Sequence, residues 1–100
     1  MVSFKQARDM FRMQREAKRV KKELSNIHVE AEARNGEHFV KVVVAADQEI
    51  VSIEISPGLS HDQIGPLLKD ALNRAMKKVQ VISAEKMQAV MGEMGLPTGA

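Results

Sequence analysis

The spacing of the apolar residues changes at Ile27, and this change constrains the fold more strongly than any other feature of the chain. Across residues 3–26 the apolar side chains recur every three or four positions, which is the period of one face of a helix. The segment has no proline or glycine and is rich in good helix formers. We therefore predict a first helix with a heptad-like apolar seam that requires a partner surface. The seam consists of Met10, Met13, Ala17, Val20, Leu24 and Ile27.

Beyond Ile27 the apolar period becomes two. Apolar and polar side chains alternate up to Arg34, which is typical of a half-buried strand. Asn35-Gly36 then favours a hairpin turn, because both residues tolerate a positive φ angle. Two more strands, separated by a turn at 46–48, are predicted at residues 39–45 and 50–55. The result is a three-stranded antiparallel meander with open edges.

The last predicted element is a long helix. Ser60 to Gln63 fits a capping box, whereas Gly65-Pro66 allows a later start. A helix from about residue 66 to 92 would be about 40 Å long, which exceeds the size of a compact domain of this length. Its far end would overhang the core and need cover from a second chain. The predicted dimer-interface residues are Met87, Val90, Met91 and Met94.

These elements predict an α+β fold in the order helix, three-stranded antiparallel meander and long helix, with one domain over residues 1–95 and a short flexible tail at 96–100. The absence of cysteine excludes disulfides, thiolate metal sites and a cysteine nucleophile. No stretch approaches the roughly 20 apolar residues that cross a bilayer, and residues 1–5 do not resemble a secretory signal. We expect a soluble, cytoplasmic protein.

Charge is distributed unevenly along the chain. Residues 1–26 hold eight basic side chains against three acidic ones, a net charge of +5, although the whole chain carries only +2. A basic segment in a chain whose remaining residues are mildly acidic indicates either a polyanionic partner or a solvated helix face. Charge alone leaves both interpretations open.

The arrangement of the basic residues favours the polyanionic partner. Six of them recur at the helical period, on a side roughly 140° from the apolar seam at 100° per residue. The neighbouring acids fall mainly on one flank of this row, and the guanidinium groups in it match phosphate oxygens well. The row consists of Lys5, Arg8, Arg12, Arg15, Arg19 and Lys22.

Other functional classes have little support in the sequence. The three histidines lack the spacing of a metal site, and the glycines form no phosphate loop. We therefore predict no catalytic residues, no metal, no cofactor and no small-molecule substrate. The methionines at helical spacing indicate packing rather than copper binding. A membrane-surface helix is disfavoured by the absence of Trp and Tyr, and RNA binding by the lack of strand aromatics other than Phe39.

Four segments of the chain occur in a characteristic order: VKVVV at 40–44, IVSIEISP at 50–57, EKM at 85–87 and GLPTG at 95–99. Together with the order of the elements, they resemble the YbaB/EbfC family of bacterial nucleoid-associated proteins, and the resemblance covers nearly the whole chain. It implies a homodimer whose helices project like tweezers from a joined sheet.

The same resemblance implies binding of double-stranded DNA with little or modest sequence preference, at the nucleoid, without a cofactor and without catalysis. DNA contacts in the family are attributed to the helices. The basic residues that match this region are Arg8, Arg12, Arg15 and Arg19, with Lys77 and Lys78 as weaker candidates on the second helix.

Two alternatives remain at this stage. The helices could grip a partner protein, or the dimer could regulate replication or recombination machinery without touching DNA. Binding of a DNA duplex at two salt concentrations distinguishes these alternatives, since only phosphate contacts are strongly weakened by salt.

Overall fold

The computed structural model describes residues 4–93 and 95 and confirms the predicted α+β order. The chain forms two helices and three strands. In chain order they are α1 (Phe4–Ser25), β1 (His28–Asn35), β2 (His38–Ala45), β3 (Ile50–Ile55) and α2 (His61–Glu93). Residue 94 and the predicted tail at 96–100 lie outside the described residues.

The sheet is an antiparallel meander in the order β1-β2-β3. The turn of its first hairpin lies one residue further along the chain than the sequence predicted. Asn35 pairs with His38, so the two-residue loop is Gly36-Glu37 rather than Asn35-Gly36. Gly36 has a φ of 65°, whereas Glu37 does not adopt a positive φ. One positive angle at the first loop position is the pattern of a type II′ turn, which favours glycine there.

The turn predicted at 46–48 is present. Gln48 adopts a φ of 74°, and its N–H donates to the Ala45 carbonyl over 2.9 Å. The neighbouring pairing of β2 with β3 is irregular between Val43 and Val44. Such a bulge lets one strand bend relative to its neighbour.

The core lies between one face of the sheet and α2. The helix contributes Ala71, Ala75 and Val79, which are four residues apart and fully buried. Small side chains at this spacing allow the helix to lie close to the strands. The sheet contributes Ala31, Ala33, Val40, Val42 and Val44. Burial of each valine contributes about 1.5–3 kcal/mol.

Helix α2 begins at His61, five residues before the later start that Pro66 had allowed. The Gln63 side-chain oxygen accepts the Ser60 N–H at 3.1 Å, and the Ser60 carbonyl accepts the N–H of Gln63 at 3.0 Å. Pro66 cannot donate to the carbonyl of Asp62, but both residues lie on the exposed side of the helix. Water can therefore satisfy that carbonyl, and the helix continues through the proline.

The far end of α2 overhangs the sheet, as the sequence predicted. The 33-residue helix is about 50 Å long at 1.5 Å per residue. The Ser83 hydroxyl donates to the Ala46 carbonyl at 3.0 Å, where the sheet ends. The radius of gyration is 18.9 Å, against about 13 Å for a compact domain of this size. The overhanging part of α2 meets α1, which runs back along it.

Candidate nucleic-acid interface

Helix α1 consists of two parts with different surroundings. Every side chain of residues 5–15 is exposed, and we call this part the projecting half. Residues 16–25, the docked half, lie beside the end of α2, and Val20 there is only 4% exposed. Met13 reaches the edge of a cleft between the two helices but remains 52% exposed. The apolar seam predicted from the sequence therefore packs against α2 along the docked half and, at its edge, through Met13.

The projecting half carries most of the predicted basic row. Lys5, Arg8, Arg12 and Arg15 are exposed, and none has an ion-pair partner among residues 4–93 and 95. Cations without nearby carboxylates create a positive potential that attracts phosphates. This cationic surface continues along the outer side of the docked half through the exposed Lys18 and Lys22. Lys18 was not part of the predicted row.

Arg19 differs from the other arginines of the row, because three carboxylates surround it. Its guanidinium contacts Glu16 at 2.6 Å, Glu23 at 3.0 Å and Glu93 of α2 at 3.1 Å. The hydrogen bond to Glu16 is the main reason that the pKa of Arg19 is raised. A phosphate would have to compete with these partners. The sequence showed the two acids on α1 but not Glu93, which is far away along the chain.

A second ion pair joins the docked half to α2. Lys86 contacts Glu23, and this lysine is the main reason that the pKa of Glu23 lies below its ordinary value. Together with the Arg19–Glu93 pair, it links α1 and α2 by charge around the buried Val20. The docked half therefore holds the helices together.

The two lysines of α2 that were predicted as weaker candidates for DNA contact lie in different environments. Lys77 is exposed. Lys78 donates its Nζ proton to the backbone carbonyl of Glu30 at 2.8 Å. Because β1 is an edge strand, this carbonyl lacks a strand partner on that side, and Lys78 supplies the missing donor.

The predicted dimer-interface residues also lie in different environments. Met87 is 49% exposed, whereas Val90 is 6% exposed. Val90 and Met91 line the cleft of about 290 Å³ that α2 forms with α1. Helix α1 of the same chain thus supplies part of the cover that the sequence assigned to a second chain. Met94 lies outside the described residues.

Strand β3 is an apolar surface without cover. Its six residues are all exposed, and the large ones are 43–48% exposed: Ile50, Val51, Ile53 and Ile55. Helix α2 lies across β1 and β2, so the apolar face of β3 extends beyond it. The sequence predicted open edges but could not show which edge remains apolar and uncovered.

The structure contains no sign of another type of site in its described part. Across residues 4–93 and 95, no three His, Asp or Glu side chains come close enough together to hold a metal ion. Within the same residues, neither helix is long and apolar enough to cross a membrane.

A small α+β protein with a projecting cationic helix falls in the class of proteins that bind polyanions on an open surface. Comparison with known sequences makes the assignment specific. The chain belongs to the YbaB/EbfC DNA-binding family, whose sequence model matches residues 3–94. The family is defined by DNA binding and not by a catalytic activity.

Similar proteins occur in several bacteria. A nucleoid-associated protein of Acinetobacter baumannii is 39% identical over 90 residues, covering 87% of this chain and 81% of the relative. One from Nitrobacter hamburgensis is 40% identical over 76 residues, covering 72% of each chain. One from a Bradyrhizobium species is 33% identical over 91 residues, covering 87% of this chain and 84% of the relative.

Proposed function

We propose that the protein is a homodimeric nucleoid-associated protein that binds the phosphate backbone of double-stranded DNA with little sequence preference. The observation that carries this proposal is the exposed cationic surface of the projecting half, with Lys5, Arg8, Arg12 and Arg15 lacking ion-pair partners in the described chain. The family membership and the names of the relatives support it. They also support a location at the nucleoid of a bacterial cytoplasm.

The dimensions of α1 suit duplex DNA. The basic row from Lys5 to Lys22 extends about 25 Å at 1.5 Å per residue, so it can follow several phosphates. A helix with its side chains is about 10–12 Å across, close to the width of the major groove, about 12 Å. Because the projecting half is exposed on all sides, it can approach the groove without collision from the sheet.

DNA titration at several salt concentrations tests the proposal. If each chain contributes three or four phosphate contacts, a dimer makes about 6–8, and the slope of log K against log salt is about −5 to −7. Duplexes of random sequence should bind within roughly tenfold of one another, because backbone contacts carry little sequence information. A flat salt response would instead support a module that grips a partner protein.

The homodimer is proposed on the contrast between the two sheet edges. Lys78 caps the β1 edge, and Glu30 and Glu32 place charges along that strand. The β3 strand carries a single charge, Glu54, and exposes Ile53 and Ile55. Unprotected apolar edges are the usual places where strands pair between chains. We therefore propose that β3 joins two copies, and that the half-exposed Met87 on α2 forms a secondary contact.

Light scattering tests the dimer directly. The expected mass is about 22 kDa, twice the 11.1 kDa of one chain. Ile53→Asp should shift the mass toward the monomer, because it would bury a carboxylate without a partner. The control is Ser52→Asp on the opposite face of the same strand, which should remain dimeric. A wild-type monomer at micromolar concentration would contradict the proposal.

A further inference from the structure

Phe11 is an exposed aromatic residue that packing within the chain does not explain. Its side chain is 61% exposed on the projecting half of α1. At 100° per residue it points about 150° away from the centre of the apolar seam. It therefore lies on the side of α1 that faces away from α2, where burial against the rest of the chain is not possible.

Three cations lie near this ring on the surface of α1. The Arg15 guanidinium lies over the ring, 5.4 Å from its centroid. Arg8 lies about one turn before Phe11 on the same side of the helix, and Lys18 lies about two turns after it. Single exposed apolar residues are common and need no explanation. An aromatic ring beside three cations is different, because a polyanion that binds these cations lies next to the ring as well.

The position of Phe11 within this cationic surface determines what it would meet on duplex DNA. When a helix lies in the major groove, its flanking cations reach phosphates on the groove walls, and the residues between them face the base edges. The apolar group on the major-groove edge is the C5 methyl of thymine. Around the helix, Arg8 and Arg15 lie on one side of Phe11, and Lys18 lies nearly in line with it two turns further on.

We propose that Phe11 contacts thymine methyl groups in the major groove and gives the protein a modest preference for A·T pairs. This inference rests on the proposed DNA binding by α1. The phosphate contacts supply the affinity, and the ring adds the sequence-dependent part. The preference is modest because one methyl contact changes affinity only about fourfold.

The test compares two duplexes of the same A·T-rich sequence, one with thymine and one with uracil in every thymine position. Uracil keeps the hydrogen-bonding groups and the phosphates but lacks the methyl. Wild-type protein should bind the thymine duplex at least about fourfold more tightly. Phe11→Ala should bind both duplexes equally and keep the wild-type salt slope, since no charge is removed.

Met10→Ala is the matched control, because Met10 is 57% exposed on the same half but belongs to the apolar seam. It should keep the preference for thymine. Equal binding of both duplexes by the wild type, with a steep salt dependence, would overturn the thymine contact and leave the proposed DNA binding intact. A preference that persists in Phe11→Ala would also overturn it, because DNA shape would then be responsible. Absence of salt-dependent binding to either duplex would overturn both proposals.

Discussion

The projecting and docked halves of α1 carry similar residues but differ in burial and in ion pairing. Both are helical, basic and built on one apolar seam. In the docked half, Arg19 contacts three carboxylates and Val20 is buried. In the projecting half, Arg8, Arg12 and Arg15 have no such partners in the described structure. We therefore propose that a basic residue on this helix contacts DNA only where no acid of α2 or of α1 itself reaches it.

Arg19 is ion-paired and the projecting arginines are not, but this difference has little effect on the stability of the fold. Exposed ion pairs typically contribute only about 0–1 kcal/mol each. The pairs of Arg19 therefore affect which cations are available more than they affect the fold. The number of basic residues in α1 overestimates the number of possible phosphate contacts. Substitutions in each half test this distinction.

The largest expected effect is on DNA affinity. Changing Arg8, Arg12 and Arg15 together to Gln removes three exposed cations per chain. We expect at least a hundredfold weaker binding at low salt, and a salt slope that is less steep by about 5 in a dimer. Gln is nearly as good a helix former as Arg, so unfolding stability should change by less than about 1 kcal/mol. Fluorescence anisotropy with a labelled duplex measures the affinity.

Arg19→Gln is the control for the triple variant. Because this guanidinium is already held by carboxylates, its loss should weaken DNA binding by less than about threefold. If Arg19→Gln weakened binding as strongly as one of the projecting arginines does, the distinction between the halves would be wrong. DNA would then displace the carboxylates from Arg19.

The second effect is on stability. Val20→Ala should lower the free energy of unfolding by about 1–3 kcal/mol, because it leaves a cavity between α1 and α2. Met10→Ala, on the same seam but 57% exposed, should change it by less than about 0.5 kcal/mol. Urea denaturation followed by circular dichroism measures both values. Equal losses would mean that Met10 is also covered in solution.

The smallest effect concerns acid stability. The pKa of Glu23 is lowered, chiefly by Lys86, from an ordinary value of 4.5. A lowered carboxyl pKa stabilises the folded state above about pH 4.5, and this contribution is lost as the pH falls through the lowered value. Glu23→Gln should therefore lose less stability than the wild type between pH 5 and about pH 3. Thermal denaturation across this range measures the change.

Asp9→Asn on the projecting half is the control for the acid response, because Asp9 has no ion-pair partner in the described part of the chain. Its acid profile should follow that of the wild type. An unchanged acid profile in Glu23→Gln would show that the pair with Lys86 does not contribute in solution.

Sequence periodicity predicted the elements well, because a helix and a strand each place apolar residues at a characteristic spacing. Local spacing predicted the order of the elements and the overhang of α2. It also placed the apolar seam and the basic row on nearly opposite sides of α1. The remaining differences were also local. Of the predicted turn residues Asn35 and Gly36, Gly36 adopts the positive φ. Of the two possible starts of α2, the structure has the one at the capping box, and the helix continues through Pro66 because the affected carbonyl of Asp62 lies on the exposed side.

The two sheet edges show what could not be predicted from the sequence. Their residues can be read from the sequence, but protection of an edge depends on what packs next to it. Lys78 reaches the Glu30 carbonyl across 48 positions of sequence, and no local pattern predicts such a contact. The exposure of Ile53 follows from the path of α2 across β1 and β2, which depends on the packing of Ala71 and Ala75.

Local sequence dictated the secondary structure, the charge of α1, the face on which that charge lies and the two acids beside Arg19, because these depend on neighbours within one or two helical turns. Tertiary structure added the third carboxylate at Arg19. Arg8 and Arg19 have the same chemistry and lie on the same row, yet Glu93 approaches only Arg19. The reason is that α1 extends past the point where α2 ends, and an ion pair requires the carboxylate within about 4 Å.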